Sequence, residues 1–282
     1  MKLLYQQLRV LTQPLPQPFR KILKFLAPSW LRARYDPLQN PDYHWPLKGV
    51  LSGYVFTAAV EKQYVLSDYE PVICAAIQRN VQSGMICVDV GANIGYLSLL
   101  MAHCCGPTGK VYAFEPLPDN LEQLKKNIAI NHLLDQVIIE GLAVSDKSSS
   151  QVDFYEGDST FEFSLLPRHG HTTRIEVQTI ALDDYFTEQK QLDFVKIDVE
   201  GAEGRVIAGM QRILLNQRPI CLVEIHHGLE ATILDQLLEA EYSLFDLEDR
   251  PVNTSIRPVM LSHILAKPNE YIINLKNEAK IR

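Results

Sequence analysis

Long apolar runs are missing from this chain. No stretch approaches the ~18 consecutive apolar residues of a membrane-spanning helix, and Pro14, Pro16 and Pro18 interrupt the segment where a secretory leader would lie. With no span and no leader, the expected location is cytoplasmic. Cysteine is scarce: Cys74, Cys87, Cys104, Cys105 and Cys221 are odd in number, two are adjacent, and no C-x-x-C pair occurs. That excludes a disulfide scaffold and a cysteine-based zinc site, and points to reduced thiols. Internal repeats and low-complexity segments are also absent.

Positive charge is short overall, with a net charge of −7 over 282 residues. It is unevenly placed. Residues 1–46 hold seven Lys/Arg against two Asp, net +5, which leaves −12 for the remainder. An acidic body argues against nucleic acid as the partner. The composition shift divides the chain into a basic, proline-punctuated extension at 1–46 and a main domain at 47–282. Within the extension, Phe19, Ile22, Leu23, Phe25, Leu26, Trp30 and Leu31 form an apolar set. Hydrophobic stripes mostly face a core, so packing on its own domain is the favoured reading; contact with a membrane surface or a partner is the other. Asn40-Pro41-Asp42-Tyr43 looks like the N-P-P-Y tetrapeptide of nucleic-acid amino-methylating enzymes. It lies far from the strand end where those enzymes carry it, and reads as a turn.

What the chain does hold is the stretch Met85–Leu100. A short apolar run ending in Val88 reads as a strand buried on both faces. Asp89 and the turn Gly91-Ala92-Asn93-Ile94-Gly95 follow, then a helix with Leu97, Leu100, Met101 and Cys104 at helical spacing. Strand, glycine turn and helix form the device that holds an adenosine-type ligand at the carboxyl edge of a parallel sheet. Gly91 and Gly95 supply positive φ or room for a ligand, and Asn93 tolerates a left-handed backbone. A dinucleotide fingerprint is spaced G-x-G-x-x-G to seat a pyrophosphate. Here three residues separate the glycines, and an acid precedes the first by two. That acid repels a pyrophosphate and suits an amino group and a sulfonium, so the favoured ligand is S-adenosylmethionine.

The remaining elements alternate. Residues 47–66 are strand-like, and Asp68-Tyr69-Glu70-Pro71 opens a helix that runs to about Val81. The strand Lys110–Phe114 ends in Glu115, where a carboxylate grips ribose hydroxyls. Pro118 and Asp119 begin the next helix. Val137–Glu140 runs towards Leu142–Val144, and the turn around Ala143 is placed to border the adenine. Val152–Tyr155 and Ile175–Ile180 are strands that flank a polar insertion, 157–173, a candidate lid or acceptor loop whose histidines read as solvated. Leu192–Asp198 and Ile220–Ile225 are core strands; a single helix with Val206, Ile207, Met210 and Ile213 lies between them, and another with Leu229, Ile233, Leu237 and Leu238 follows. Tyr242–Leu247 and Tyr271–Leu275 are the expected closing strands, with no good helix between them. This is an α/β doubly wound, mostly parallel sheet with an antiparallel final pair.

Side chains two apart on a strand share a face. Lys196 and Asp198 therefore pair on one strand, Glu224 and His226 on the next, and Glu200 sits just above. A buried lysine and glutamate are costly unless paired, so Lys196 and Glu224 are expected to neutralise each other. Group transfer to a bound acceptor needs a side chain to take the acceptor's proton. His226 or Asp198 is the candidate base, with a backbone-bonded strand-end histidine as the plainer reading of His226. Asp198, Glu200 and Glu224 would suit a hard divalent cation, but without ligand-like spacing a metal is disfavoured.

Taken together, Asp89-Val-Gly-Ala-Asn-Ile-Gly95, Phe114-Glu115-Pro116, Lys196-Ile-Asp-Val-Glu-Gly201 and Val223-Glu-Ile-His226 resemble the FkbM-type methyltransferases over about residues 50–275. That resemblance implies a class I Rossmann-like fold with seven strands ordered 3-2-1-4-5-7-6, strand 7 antiparallel. It implies S-adenosylmethionine as cofactor and O-methylation of hydroxyls on sugars, polyketides and related metabolites. It makes Asp89, Gly91, Asn93 and Glu115 cofactor contacts; Ala92, Gly95, Ala143, Asp198 and Glu200 complete the expected cofactor set. Two other classes stay open: a nicotinamide dehydrogenase on a similar sheet, and a non-catalytic scaffold that meets partners through residues 1–46.

Overall fold

The computed structural model describes residues 44–57, 69–149, 151–156, 163–164, 174–187, 191–226, 230–254 and 262–271. The chain enters as an antiparallel hairpin, β1 (His44–Pro46) and β2 (Val55–Thr57), joined through a 3-10 turn at Gly49–Leu51. The last three residues of the 1–46 stretch thus pair with the body. The apolar set at 19–31 and the turn at 40–43 lie outside the described residues.

Next comes α1 (Pro71–Asn80), whose first-turn proline has no N–H to leave unsatisfied. Then follow β3 (Ile86–Val90), α2 (Tyr96–Cys105), β4 (Lys110–Phe114), α3 (Pro118–Ile130) and β5 (Val137–Glu140). β3 is an apolar run because helices cover both its faces, and Cys87, Val88 and Asp89 are fully buried. α2 is equally apolar all round, with Tyr96–Ala102 buried. From α3, Asn131 Oδ1 accepts the Val55 N–H at 2.9 Å and Asn127 Oδ1 the Thr57 N–H at 3.0 Å, which ties β2 to the body.

A second, four-stranded sheet interrupts the alternation. It is built from β6 (Ala143–Val144), β7 (Gln151–Glu156), β8 (Phe163–Ser164) and β9 (Arg174–Ile180), in the order β6-β9-β7-β8. Only β8 of the polar insertion 157–173 is described. The core then resumes with α4 (Leu182–Tyr185), β10 (Phe194–Ile197), α5 (Glu203–Ala208), α6 (Gln211–Asn216), β11 (Ile220–Glu224), α7 (Glu230–Glu239), β12 (Tyr242–Phe245) and β13 (His263–Pro268).

The main sheet runs β12-β13-β11-β10-β3-β4-β5, with β13 antiparallel to both neighbours. This is the expected strand order with the antiparallel strand in its expected place. Two expectations fail. The closing strand beside β11 is His263–Pro268, ahead of the expected Tyr271–Leu275, of which all but Tyr271 lies outside the described residues: Ile264, Leu265 and Ala266 face Val223, Leu222 and Cys221 and are fully buried. Lys267 and Pro268 disguise that run in the sequence, and Lys267 Nζ is paired with Asp249 at 2.7 Å. The single helix expected over Val206–Ile213 is also broken, into α5 and α6. A Cβ on Gly209 would lie 2.1 Å from the Ser145 carbonyl oxygen, so the second sheet's entry packs into the break. All five cysteines are free, and Cys87 and Cys221 are buried in strands as expected. Among the described residues no helix is long and apolar enough to cross a membrane.

Candidate active site

The carboxyl ends of β3, β4 and β10 open on one cleft with an empty volume of about 830 Å³, part of it open solvent. The β3 turn forms its floor. Gly91 and Gly95 have φ of +77° and +93°, and Asn93 is left-handed at +51°, as its side chain permits. The room at the glycines serves the protein itself. A Cβ on Gly91 would lie 1.8 Å from the Asp198 carbonyl oxygen, and one on Gly95 2.5 Å from Leu124 Cδ1.

Of the expected cofactor set, Gly91, Ala92, Asn93, Glu115, Ala143, Asp198 and Glu200 line the cleft, as does Lys196. Gly95 is not among the lining residues, and neither is Asp89. Asp89 is fully buried beneath the floor: its Oδ2 accepts the Ser98 hydroxyl at 2.5 Å, and its Oδ1 lies 3.4 Å from Lys196 Nζ. Asp89 therefore reaches the cleft only through its neighbour Lys196, which lines it. Burial raises its pKa, and Lys196 and Ser98 oppose that shift.

Glu115 is the buried carboxylate of the cleft wall. Its Oε2 accepts the Asn93 N–H at 2.8 Å and its Oε1 the Leu117 N–H at 3.0 Å. Burial still pushes the group up to about 7 against these bonds. Two further donors, such as a ribose diol, would restore its charge. Asn93 Oδ1 is buried without a hydrogen-bond partner in the same wall, an acceptor that a ligand donor would satisfy. These residues fit an adenosine ligand.

Lys196 and Glu224 do not form the expected pair. Lys196 Nζ donates to the Gly91 carbonyl at 3.0 Å and lies 3.3 Å from Asp198 Oδ2 as well as beside Asp89. Register explains the choice: Lys196 is level with Asp89 on β3, whereas on β11 it meets Leu222. Burial works against the ammonium, but Asp198, Asp89 and Glu70 outweigh it and hold the lysine above its ordinary range. Glu224 turns to Asp198. Burial, then the bond to Asp198 and its charge, push Glu224 up to about 9, so it carries the proton between them. Asp198 is lowered to about 2: burial opposes ionisation, and Lys196 and the Glu224 bond overcome it.

His226 lies outside the cleft lining, clasped by two carboxylates. Its Nε2 is 3.1 Å from Glu200 Oε2 and its Nδ1 3.0 Å from Glu203 Oε1. The bonds to Glu200 and Glu203 outweigh burial and raise it to about 10. An imidazolium has no lone pair with which to accept a proton. Among the described residues no group of three or more His, Cys, Asp or Glu is arranged to hold a metal.

Sequence reasoning passed over three contributors. Glu203, fully buried, accepts the Gly201 N–H at 3.0 Å and the Val199 N–H at 3.3 Å, and so pins the turn that carries Glu200. The signal was an acid in the first turn of α5 beside a Gly. Tyr69 lines the cleft, and Glu70 acts electrostatically on Lys196, Asp198 and Asp89. In the sequence both stand simply at a helix start, since nothing local tells which way a turn faces.

Residues 89–244 match the family described as the methyltransferase FkbM domain. The chain is 30% identical over 228 residues to hexuronic acid methyltransferase AglP of Haloferax volcanii, covering 76% of this chain and 87% of that protein. It is 27% identical over 188 residues to methyltransferase sdnD of Sordaria araneosa, 56% of this chain and 72% of that one. To 31-O-demethyl-FK506 methyltransferase FkbM of Streptomyces tacrolimicus it is 28% identical over 162 residues, 46% of this chain and 61% of that one.

Proposed function

The chain belongs to the FkbM methyltransferase family, with S-adenosylmethionine as methyl donor, and from that premise we propose that it methylates a hydroxyl oxygen on a sugar, glycan or small metabolite. The names of two relatives support the acceptor class, one a hexuronic acid and the other an oxygen of FK506. The acidic body of the chain favours a small acceptor over nucleic acid. Its unpaired cysteines suit a reducing compartment, which fits the cytoplasm.

When bound, the cofactor supplies a methyl group on a sulfonium. Everything else falls to the chain's own residues. Glu115 holds the ribose hydroxyls, and the Leu142–Val144 segment borders the base. Asp198 is the proton acceptor. It is ionised, it lines the cleft, and Lys196 and Glu224 fix its orientation. A strongly ionised carboxylate is a weak base towards a resting alcohol. It suffices for an oxygen that becomes acidic as the new C–O bond forms, so proton transfer comes late. His226 keeps Glu200 in place and does not take the proton.

The observation that carries this reading is the position of Asp198 on the cleft wall, 3.3 Å from Lys196. Turnover of Asp198→Asn and His226→Gln with labelled cofactor tests it. Asp198→Asn is expected to lose about 10²–10⁴-fold in kcat while His226→Gln loses less than about tenfold. The reverse order would return the base role to His226.

A further inference from the structure

Glu70 stands at the start of α1 with a left-handed backbone, φ +41°, and its side chain makes no capping bond to the helix. A non-glycine residue held in that region marks a turn fixed by its surroundings. Tyr69, beside it, lines the cleft and meets the Tyr96 ring edge-on at 5.0 Å, which anchors the turn against the start of α2. Glu70 Oε2 is buried and has no hydrogen-bond partner among the described residues. Burial raises the pKa of the group, against Lys196 and a bond from Tyr69, and a further donor at the unpartnered Oε2 would favour its ionised form.

The charges around it call for a cation. Glu70, Asp198 and Asp89 all act on Lys196. Lys196 Nζ donates to the Gly91 carbonyl and lies 3.4 Å from Asp89 and 3.3 Å from Asp198. His226, the other cation near the cleft, is engaged by Glu200 and Glu203. Glu70 is not itself among the cleft-lining residues but adjoins Tyr69, which is, and its carboxyl group joins Asp198 and Asp89 around the single ammonium of Lys196. Glu115 lines the same cleft.

S-adenosylmethionine carries two positive centres. The sulfonium has no N–H or O–H to give; the ammonium has three N–H groups. We infer that Glu70 is the carboxylate that receives the ammonium group at the methionine end of the cofactor. The inference rests on the cofactor assignment, and it places a cofactor-binding residue ahead of the first core strand.

Calorimetric binding to the full chain tests this without turnover. S-adenosylhomocysteine keeps the ammonium and lacks the sulfonium; 5′-methylthioadenosine lacks both. Glu70→Gln is expected to weaken S-adenosylhomocysteine by about 10–100-fold, the value of a charged hydrogen bond, and to leave 5′-methylthioadenosine within about twofold. Equal weakening of both would overturn the assignment, as would unchanged S-adenosylhomocysteine affinity with a raised KM for the acceptor. A melting curve establishes that the variant is folded. If it is not, Glu70→Asp, which keeps the charge on a shorter arm, is expected to lose only S-adenosylhomocysteine affinity, and parallel loss of both ligands overturns the role. Wild-type protein that binds neither nucleoside would instead refute the cofactor reading on which this one rests.

Discussion

Gly91 approaches the Asp198 carbonyl so closely that a Cβ at Gly91 would sit 1.8 Å from that oxygen. The turn after β3 and the turn after β10 are therefore in backbone contact, and this contact brings Asp198 to the cofactor cleft. Gly91 also has φ +77°, which side chains rarely adopt. Gly91→Ala should destabilise the fold by at least about 1–3 kcal/mol, because backbone cannot move aside as a flexible side chain can. It should also abolish S-adenosylhomocysteine binding under conditions where the protein remains folded. Urea unfolding and calorimetry measure the two effects. Full cofactor affinity in a folded Gly91→Ala variant would mean that the two turns separate without consequence.

Lys196 and Asp89 are both almost completely buried, 3.4 Å apart, and side by side in the β3–β10 register. Breaking such a pair from one side leaves a buried charge without water or counter-charge, with only the Ser98 hydroxyl on Asp89. Lys196→Met is expected to cost about 3–5 kcal/mol. The double variant with Asp89→Asn should recover much of that, since it removes the stranded charge. Urea titrations of the three proteins close the cycle. A single variant that costs less than about 1 kcal/mol would show that Asp89 protonates instead.

Much of this arrangement was legible in the chain before its coordinates. The parallel core declares itself because strands covered on both faces must be continuous apolar runs, as at Ile86–Val90 and Ile220–Glu224. Side-chain alternation brought Lys196 and Asp198 to one face, and strand adjacency brought Glu224 to Asp198. Partner choice was not legible. Whether Lys196 turns to β3 or to β11 depends on register, and no local feature sets register between strands more than a hundred residues apart. The break at Gly209 and the position of Glu70 escaped for a similar reason. Each depends on a distant segment, the Ser145 carbonyl in one case and Lys196 in the other.

Asn127 lies fully buried in α3 and serves two separate segments. Its Oδ1 accepts the Thr57 N–H at 3.0 Å, and its Nδ2 donates to the Ile94 carbonyl at 2.8 Å. Ile94 belongs to the cleft floor, so one side chain couples the entry hairpin to the cofactor loop. Asn127→Ala strands a buried donor and a buried acceptor, at about 1–3 kcal/mol each. Asn127→Asp keeps the acceptor and loses only the donor, so it should spare the hairpin and disturb the loop. Hydrogen exchange at the Thr57 amide separates the two outcomes. Protection there that survives in Asn127→Ala would mean that β1 and Asn131 together suffice to hold β2.

Glu115 makes cofactor affinity depend on pH in a definite direction. Its folded pKa, about 7, lies above its ordinary 4.5, chiefly through burial. Between those values the unfolded chain has released a proton that the folded, ligand-free chain keeps. The stability this group contributes is thus fully present below about pH 4.5 and is lost as pH rises through about 7. Ribose hydroxyls bind the ionised form, so ligand binding runs the opposite way. S-adenosylhomocysteine affinity should rise from pH 6 to pH 8, approaching about tenfold per unit well below the pKa. Neither Asp198, at about 2, nor His226, at about 10, titrates in that window. Glu115→Gln should bind more weakly at pH 8 and show no such slope. The shift in Tm on adding the nucleoside, measured across the same range, should grow with pH in the wild type only. A wild-type affinity that stays flat from pH 6 to 8 would mean that Glu115 is already ionised without ligand, held so by the Asn93 and Leu117 amides alone.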